Sequence, residues 1–407
     1  MRPSEAVRIE AADIYKGDDL AAQITRRDGG TVFAYTTEYV TSAGVAIAST
    51  LPLRSAPFRR EGGAVPPFFA GLLPEGARLQ AVINAVRTSA DDELSLLLAV
   101  GHDAVGDVRV VPAGEPPTDV SAEAPMDPTE VVFRDLLARA VSGTSDSLDA
   151  ALPGVQDKLS DAMISFPIKG ARRPAILKLD PPSYPLITAN EHFFLTMARS
   201  AGFTVPRHEM VIDATGEPGL LVQRFDREKG SDGALTRIAQ EDGCQMLDRY
   251  PADKYRVAVN DLANRVTALA TSPKAAMLDL TLQVAFSWAI GNGDLHGKNY
   301  SLQWRTDGIT AATPVYDVVS TLPYPLDQHM AMDLDGRNAN FKAAFFARFG
   351  ERFGVPRTLT IRRLGDLADR MAPHVDDLDD IGYDTRTTEV MAAEIVRRIG
   401  SLYPDGS

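Results

Sequence analysis

The stretch Gly291-Asn292-Gly293-Asp294-Leu295-His296-Gly297-Lys298-Asn299 holds an aspartate and, five positions later, an asparagine. Pro314-Val315-Tyr316-Asp317-Val318-Val319-Ser320 adds a second aspartate on the far side of a short predicted hairpin. Phosphoryl transfer from a nucleoside triphosphate needs metal ions to neutralise the phosphates, a group that orients the attacking hydroxyl and a cation at the α- and β-phosphates. Little covalent chemistry is left for the protein. Each need has a candidate. Asp294 would accept or orient the substrate hydroxyl, Asn299 would reach Mg2+ through its amide oxygen, and Asp317 offers the anionic oxygen that a hard cation requires. Taken alone, the nonapeptide also reads as a Gly/Asn-rich surface turn with Asp294 as a helix cap, because these residues favour turns for local reasons. Asp317 argues against that, since its apolar neighbours would bury it and a buried carboxylate without a cation is costly. The pattern points to a phosphotransferase.

A second group lies upstream. Lys178 sits inside the apolar strand Ala175-Ile176-Leu177-Lys178-Leu179, and Glu191 follows Thr188-Ala189-Asn190 at the start of a predicted helix. A strand lysine paired with a helix glutamate is how kinases hold ATP phosphates. The plainer alternative is a solvent-facing lysine and a first-turn glutamate favoured by the helix dipole. The order along the chain (loop, Lys, Glu, hinge, Asp-x4-Asn, Asp) supports the former. Gly154-Val155-Gln156-Asp157-Lys158 is a short loop suited to backbone approach to phosphate, and no Walker A string occurs anywhere. Gly291, Gly293 and Gly297 nearly mimic a dinucleotide fingerprint, but the third glycine falls one position late and a helix precedes it. His296 could position Asp294, ligate metal or fill the loop. With six histidines and none in an i,i+4 pair, a zinc hydrolase has no support.

Composition sets the bounds. At 407 residues, with 44% hydrophobic and 24% charged side chains, the chain reads as two or three ordinary globular units. No apolar h-region opens it and no run approaches the ~18 apolar residues of a membrane span, so neither export nor insertion is expected. One cysteine, Cys244, excludes an internal disulfide and fits a reducing cytoplasm. The 42 basic and 55 acidic residues leave a net charge of -13, which opposes unaided binding to a polyanion. Contact with DNA would need a basic partner or a local basic patch.

The elements that must position these residues follow from periodicity. Partial alternation over residues 31–53 (Val32–Thr36, Val45–Ala48) predicts strands, helical spacing predicts Ala77–Val86 and Leu94–Val100, and Val108–Pro112 closes the unit as a strand. Ala113–Pro128, rich in Pro and acidic residues, marks a linker. Beyond it a helix over Pro128–Ser142 precedes strands at Ala162–Ile168, Ala175–Leu179, Met210–Ile212 and Leu220–Phe225, with a helix at Glu191–Ala201 inserted. From Asp242 helices dominate, at Lys254–Leu269, Ala276–Ala289, Asn340–Phe349 and Thr387–Leu402, interrupted by short strands around Asn299–Trp304 and Val315–Val318. The acidic pair Glu241-Asp242 is expected to cap the helix that follows it. The reading is α+β: a small α/β N-terminal domain (1–112), a linker (113–128), a β-rich N-lobe (129–240) and a helical C-lobe (241–407), with a bilobal protein-kinase-like arrangement and catalytic loops at the lobe junction.

These residues together resemble the HipA family of bacterial serine/threonine kinases, the toxin half of HipBA-type toxin–antitoxin systems. The specific matches are Gly154–Lys158, Asn190-Glu191, Val222-Gln223-Arg224-Phe225-Asp226-Arg227, Gln240–Gln245, Gly293–Asn299 and Tyr316–Ser320. Phe68–Pro74 and Gly101–Gly106 carry the likeness into the amino-terminal unit. The resemblance implies an ATP- and Mg2+-dependent kinase that phosphorylates a translation component, commonly an aminoacyl-tRNA synthetase, and so arrests growth, the state associated with persistence. It also implies a HipB-like helix-turn-helix antitoxin that supplies the DNA contacts. Asp294 would be the catalytic base with His296 and Asn299 beside it, and Asn299 and Asp317 would be the Mg2+ ligands. Gly154, Val155, Gln156, Lys158, Lys178, Glu191, Lys298 and Asn299 would line the nucleotide, with Gln223, Arg224 and Phe225 as hinge over the adenine and Asp226 near the ribose. One position departs from the family: where members often carry an autophosphorylated serine, three residues before Gly154, this chain has Ala151. Either Ser142, Ser145 or Ser147 replaces it, or self-regulation is absent, or Ala151 is an engineered change that removes a phosphosite. Two other readings stand beside the kinase toxin, a catalytically weak nucleotide-binding co-repressor scaffold acting with the antitoxin and a kinase acting on a small molecule.

Overall fold

The structure is a computed structural model and describes residues 3–27, 29–117, 128–135, 164–169, 174–229 and 235–404. Its first unit is an antiparallel sheet of five strands, β1 (Ala11–Lys16), β2 (Asp19–Arg27), β3 (Gly30–Tyr35), β4 (Phe58–Glu61) and β5 (Val108–Pro112), in the order β4-β3-β2-β1-β5. The period-2 pattern of a half-buried strand is plainest in β3, where Thr31, Phe33 and Tyr35 are buried and the residues between them are not. Helices Gly76–Val86 and Glu93–Val100 pack on this sheet. Leu94, Leu96, Leu97, Phe33 and Phe69 form its core. The Asp92 side chain caps the second helix by accepting the Ser95 N–H. The strand expected at Val45–Ala48 is absent: Ala43 has φ +55, Val45 is exposed and the only pairing is an isolated Ala48–Leu51 bridge. Apolar residues there plug the domain from a loop.

The second unit is a four-stranded antiparallel sheet, β6 (Ile164–Lys169), β7 (Pro174–Leu179), β8 (His208–Ile212) and β9 (Pro218–Gln223), ordered β6-β7-β9-β8. All four strands lie where the alternation predicts them. The helix Ile187–Ser200 lies against β8 and β9, and its Phe194, Leu195, Met197 and Ala198 join the core of the helical unit. It begins earlier than expected, so Glu191 belongs to its second turn. Asn190-Glu191 is thereby buried in the fold rather than placed at an open helix end. Gly154–Lys158, Ala151 and Ser142, Ser145 and Ser147 lie outside the described residues, as does the end of the helix expected over Pro128–Ser142.

The third unit is mainly helical. Helix Pro273–Ile290 is apolar on every side and buried over its last eleven residues, as a central core helix must be. It packs with Val259–Leu269, Ala343–Arg352, Arg357–Met371 and Thr385–Gly400 around Phe286, Trp288, Phe346 and Ile395. Helix Arg357–Met371 went unassigned in the sequence, where Gly365 and the β-branched Thr358, Thr360 and Ile361 weaken the local preference. The expected helix Lys254–Leu269 is split into a 3-10 turn at Pro251–Arg256, an extended Val257 and a helix from Val259. A small sheet of β10 (Ala239–Asp242), β11 (Ser301–Trp304) and β12 (Thr310–Ala312) sits at the lobe junction. The strand expected at Val315–Val318 is irregular instead, because Asp317 has φ +52 and leaves the extended region. Among the described residues no helix is long and apolar enough to cross a membrane.

Candidate active site

Central strand β7 carries Lys178 to the junction of the lobes. Its ammonium donates to Glu191 Oε1 (2.7 Å) and Oε2 (2.9 Å) and to Asp317 Oδ1 (2.5 Å). Lysine and glutamate are buried, at 9% and 1% side-chain exposure, whereas the aspartate is 42% exposed. Burial pushes the Glu191 pKa up, helped by the Asp317 charge across the shared lysine and opposed by Lys178 itself. Burial also works to raise Asp317, but the Lys178 ammonium outweighs it and holds this carboxyl below its ordinary value. Two carboxylates therefore share one cation, and the outer one remains ionised and half open.

The segment after Asp317 is tied to the same helix. Asn190 Oδ1 accepts the Ser320 N–H (2.8 Å), and its Nδ2 donates to the Ser320 carbonyl (3.1 Å) and to the Tyr383 hydroxyl (3.1 Å). The left-handed φ of Asp317 is a strained value for a residue with a Cβ, of the kind that costs about 1–3 kcal/mol and is held by its surroundings. Asn190, Lys178 and the neighbouring Tyr316 supply that restraint. Tyr316 donates its hydroxyl to the Lys298 carbonyl (2.6 Å), and its ring lies 5.5 Å from that of Phe225.

The catalytic loop follows helix Pro273–Ile290, which ends at Gly291 in the left-handed conformation with no room for a Cβ against Leu322. Asp294 is buried. Its N–H donates to Asn292 Oδ1 (2.9 Å), its carbonyl accepts Asn299 Nδ2 (3.1 Å) and its Oδ1 accepts the Tyr255 hydroxyl (2.8 Å). The contact to Asp294 occupies the Asn299 amide nitrogen and leaves the amide oxygen as its lone-pair donor. His296 is buried edge-on against Tyr255 (5.1 Å between centroids), and its Nδ1 accepts the Lys298 N–H (3.3 Å). That bond places the ring proton on Nε2. Burial, reinforced by the Lys254 charge, drops the His296 pKa to about 3, so the ring is neutral near pH 7 and props the loop.

Lys298 turns away from the other expected nucleotide residues. Its ammonium meets Glu75 Oε1 (2.8 Å), the Gly71 carbonyl (3.1 Å) and Asp242 Oδ2 (3.6 Å), and Glu75 also pairs with Lys254. Asp242 caps the helical turn Gly243–Met246 in a reciprocal capping box with Gln245. Glu241 does not share the capping; it accepts the Ser49 N–H and hydroxyl, both at 2.7 Å. Gln245 Nε2 reaches the Phe68 carbonyl (2.8 Å). Arg224 and Asp226, expected along the nucleotide, are likewise engaged elsewhere. Arg224 pairs with Asp226 (2.8 Å) and Asp103 (3.0 Å), and Arg227 joins both carboxylates. Asp226 Oδ2 accepts the Gly106 N–H (3.0 Å). The side chains of Arg224 and Asp226 thus build an interdomain cluster.

Tyr255, Lys254 and Glu75 carried no motif in the sequence. Their contacts span 39 positions (Tyr255 to Asp294) and 179 positions (Lys254 to Glu75), beyond any local pattern. Asp317 and Asn299 offer one carboxylate and one amide oxygen. Among the described residues no group of three or more His, Cys, Asp or Glu side chains lies together. That donor set suits Mg2+, which binds through one or two protein oxygens and keeps water and phosphate oxygens for its other positions.

Comparisons with known proteins bear on the fold and the family. Residues 12–111 match the HipA N-terminal domain model and residues 150–375 the HipA-like C-terminal domain model. Y4mE of Sinorhizobium fredii, provisionally named a kinase, is 29% identical over 96% of this chain and 98% of its own. The serine/threonine-protein kinase toxin HipA of Shewanella oneidensis is 28% identical over 88% of this chain and 87% of its own. The HipA chain in a complex of Shewanella oneidensis MR-1 HipA, HipB and operator DNA superposes with a TM-score of 0.76 over 95% of this chain and 96% of that one, at 22% identity. The bilobal kinase-like fold with its amino-terminal domain is therefore shared, and the chain belongs to the HipA-like family.

Proposed function

We propose that this chain is a Mg2+- and ATP-dependent protein serine/threonine kinase that acts as a toxin. The observation that carries the reading is the Lys178 ammonium bound at once to Glu191 and Asp317. A strand lysine anchored by a helix glutamate, next to a metal-type aspartate, is the arrangement a kinase uses to hold phosphates and metal. Lys178 would bind the α- and β-phosphates, with Glu191 fixing its position. Asn299 and Asp317 would hold Mg2+, which supplies positive charge against the phosphates when bound. Asp294, aimed by Tyr255, would accept the proton of the acceptor hydroxyl and orient its oxygen. The backbone of Gln223, Arg224 and Phe225 is left for the adenine edge, since the side chains of Arg224 and Asp226 are taken. Gly154, Val155, Gln156 and Lys158 would cover the phosphates.

The acceptor we propose is a translation component, an aminoacyl-tRNA synthetase first, and the neutralising partner a HipB-like antitoxin that carries the DNA contact. Similarity to a HipA found in complex with HipB and operator DNA supports that partner. The test is transfer of γ-labelled phosphate from Mg-ATP to proteins of a bacterial lysate, comparing the chain with Asp294→Ala. A discrete labelled band that vanishes in the variant is expected. ATP binding without any transfer would replace the kinase by a nucleotide-holding co-repressor scaffold.

A further inference from the structure

The amino-terminal domain touches the proposed catalytic loop at Lys298, through the Glu75 carboxylate and the Gly71 carbonyl. Glu75 lies at the start of helix Gly76–Val86, where its side chain makes no cap hydrogen bond. It reaches out of its own domain to the ammonium groups of Lys254 and Lys298. Both lysines are nearly buried, and a charge in that position must be compensated locally. Lys298 has a second, longer contact to Asp242. Burial works to raise the Glu75 pKa, and the two lysines hold the acid well below its ordinary range.

Lys254 is stitched to the catalytic loop by its backbone. The Gly297 N–H donates to the Lys254 carbonyl (3.0 Å), and the adjacent Tyr255 holds Asp294. The Lys254 charge is felt at both His296 and Asp317. Glu75 neutralises that ammonium, and without Glu75 its charge adds more fully to that of Lys178 at the half-open Asp317 carboxylate. Asp317 already carries Lys178, and a second ammonium on it would compete with any divalent cation.

We propose that Glu75 is a positioning residue of the phosphotransfer site, acting through the lysines: it tethers Lys254 and Lys298 and so keeps Asp317 available to a divalent cation. This rests on the kinase reading for its consequence, though not for its geometry. The amino-terminal domain then takes part in building the active site, through a carboxylate that acts on the loop by way of two lysines.

The test uses the full chain as wild type, Glu75→Gln, Glu75→Asp and Glu75→Gln combined with Lys254→Met. Amide hydrogen exchange is followed over residues 251–257 and 293–299 without ligand, and Mg2+ is titrated calorimetrically in the presence of a non-hydrolysable ATP analogue. Outer-shell partners of a metal site are commonly worth about 10–100-fold in affinity. Glu75→Gln is therefore expected to raise the half-saturating Mg2+ concentration about tenfold and to speed exchange in both segments. Glu75→Asp should recover most of the Mg2+ response. So should the double variant, because the competing ammonium is gone. An unchanged Mg2+ response and unchanged exchange in Glu75→Gln would overturn the proposal, and so would a double variant no better than Glu75→Gln. Absence of Mg2+-nucleotide binding by the wild type would overturn the kinase reading instead, and exchange alone would then decide the tether.

Discussion

Lys178 and Asp317 face each other at 2.5 Å across the lobe junction, one on a sheet strand and the other on a left-handed turn. The pair couples the sheet that would carry the nucleotide to the loop that would carry the metal. Glu191 holds the same ammonium from the opposite side.

Replacing Asp317 by Asn removes metal charge and leaves the Lys178–Glu191 pair intact. Nucleotide binding in the presence of Mg2+ is expected to weaken at least tenfold, with Mg2+-free binding nearly unchanged. Asp294→Asn should weaken it far less, since Asp294 addresses the acceptor. Calorimetric titration of both variants checks the order, and the reverse ranking would exchange their roles.

Tyr255→Phe deletes the hydroxyl that aims Asp294 and keeps the ring against His296. A hydrogen bond to a charged group is worth about 1.5–3 kcal/mol, so the turnover number should fall about tenfold or more while the KM for ATP moves little. Steady-state kinetics separates the two. A change confined to the ATP KM would place Tyr255 at the nucleotide.

Gly243 has no space for a side chain: a Cβ would lie 2.4 Å from the Gly297 carbonyl oxygen, in the middle of the catalytic loop. The obstruction is backbone and cannot rotate away. Gly243→Ala is expected to cost about 1–3 kcal/mol as overpacking does and to displace the loop, so phosphotransfer should drop together with the denaturant midpoint. Full activity at reduced stability would mean that the loop tolerates the shift.

His192 and His208 join helix Ile187–Ser200 to strand β8 through their Nδ1 atoms at 3.1 Å. Burial, with Arg199 and His192 adding positive charge, lowers the His208 pKa to about 4. The unfolded chain takes up this proton near the ordinary value of about 6.5, whereas the folded chain takes it up only near 4. Stability from this group is therefore fully present above about pH 6.5 and declines as pH falls towards 4. Melting curves between pH 7.5 and 4.5 should show a smaller decline in His208→Gln. Parallel curves would remove the pair from the acid response.

The order of Lys178, Glu191, Asp294, Asn299 and Asp317 was legible in the sequence because each lies in a short stretch whose residue types serve one need. The folded chain brings Lys178, Glu191 and Asp317 into direct contact and ties Asn299 to Asp294. What escaped were groups that act across domains. Lys298, Arg224 and Asp226 sit within motif stretches, yet Lys298 and Arg224 pair with the carboxylates of Glu75 and Asp103, and Asp226 accepts the Gly106 N–H. Apolar residues also misled at one point: Val315 and Val318 are buried, but Asp317 between them takes a left-handed turn and leaves the extended region. The two amino-terminal stretches Phe68–Pro74 and Gly101–Gly106 had no visible task in the sequence, and in the fold both face the kinase lobes.

Those two stretches grip different parts of the chain. Asp103 and Gly106 hold Arg224, Asp226 and Arg227 at the end of the small lobe, while Phe68, Gly71 and Glu75 hold Gln245, Lys298 and Lys254 in the large one. The three bodies form a closed triangle rather than two plates on a hinge. The peptide connection between residues 112 and 128 is then not what keeps the first body in place. A proteolytic nick there would leave a chain in two pieces that still migrates as one particle, and rocking of one lobe against the other would have to break or shear one side of the triangle.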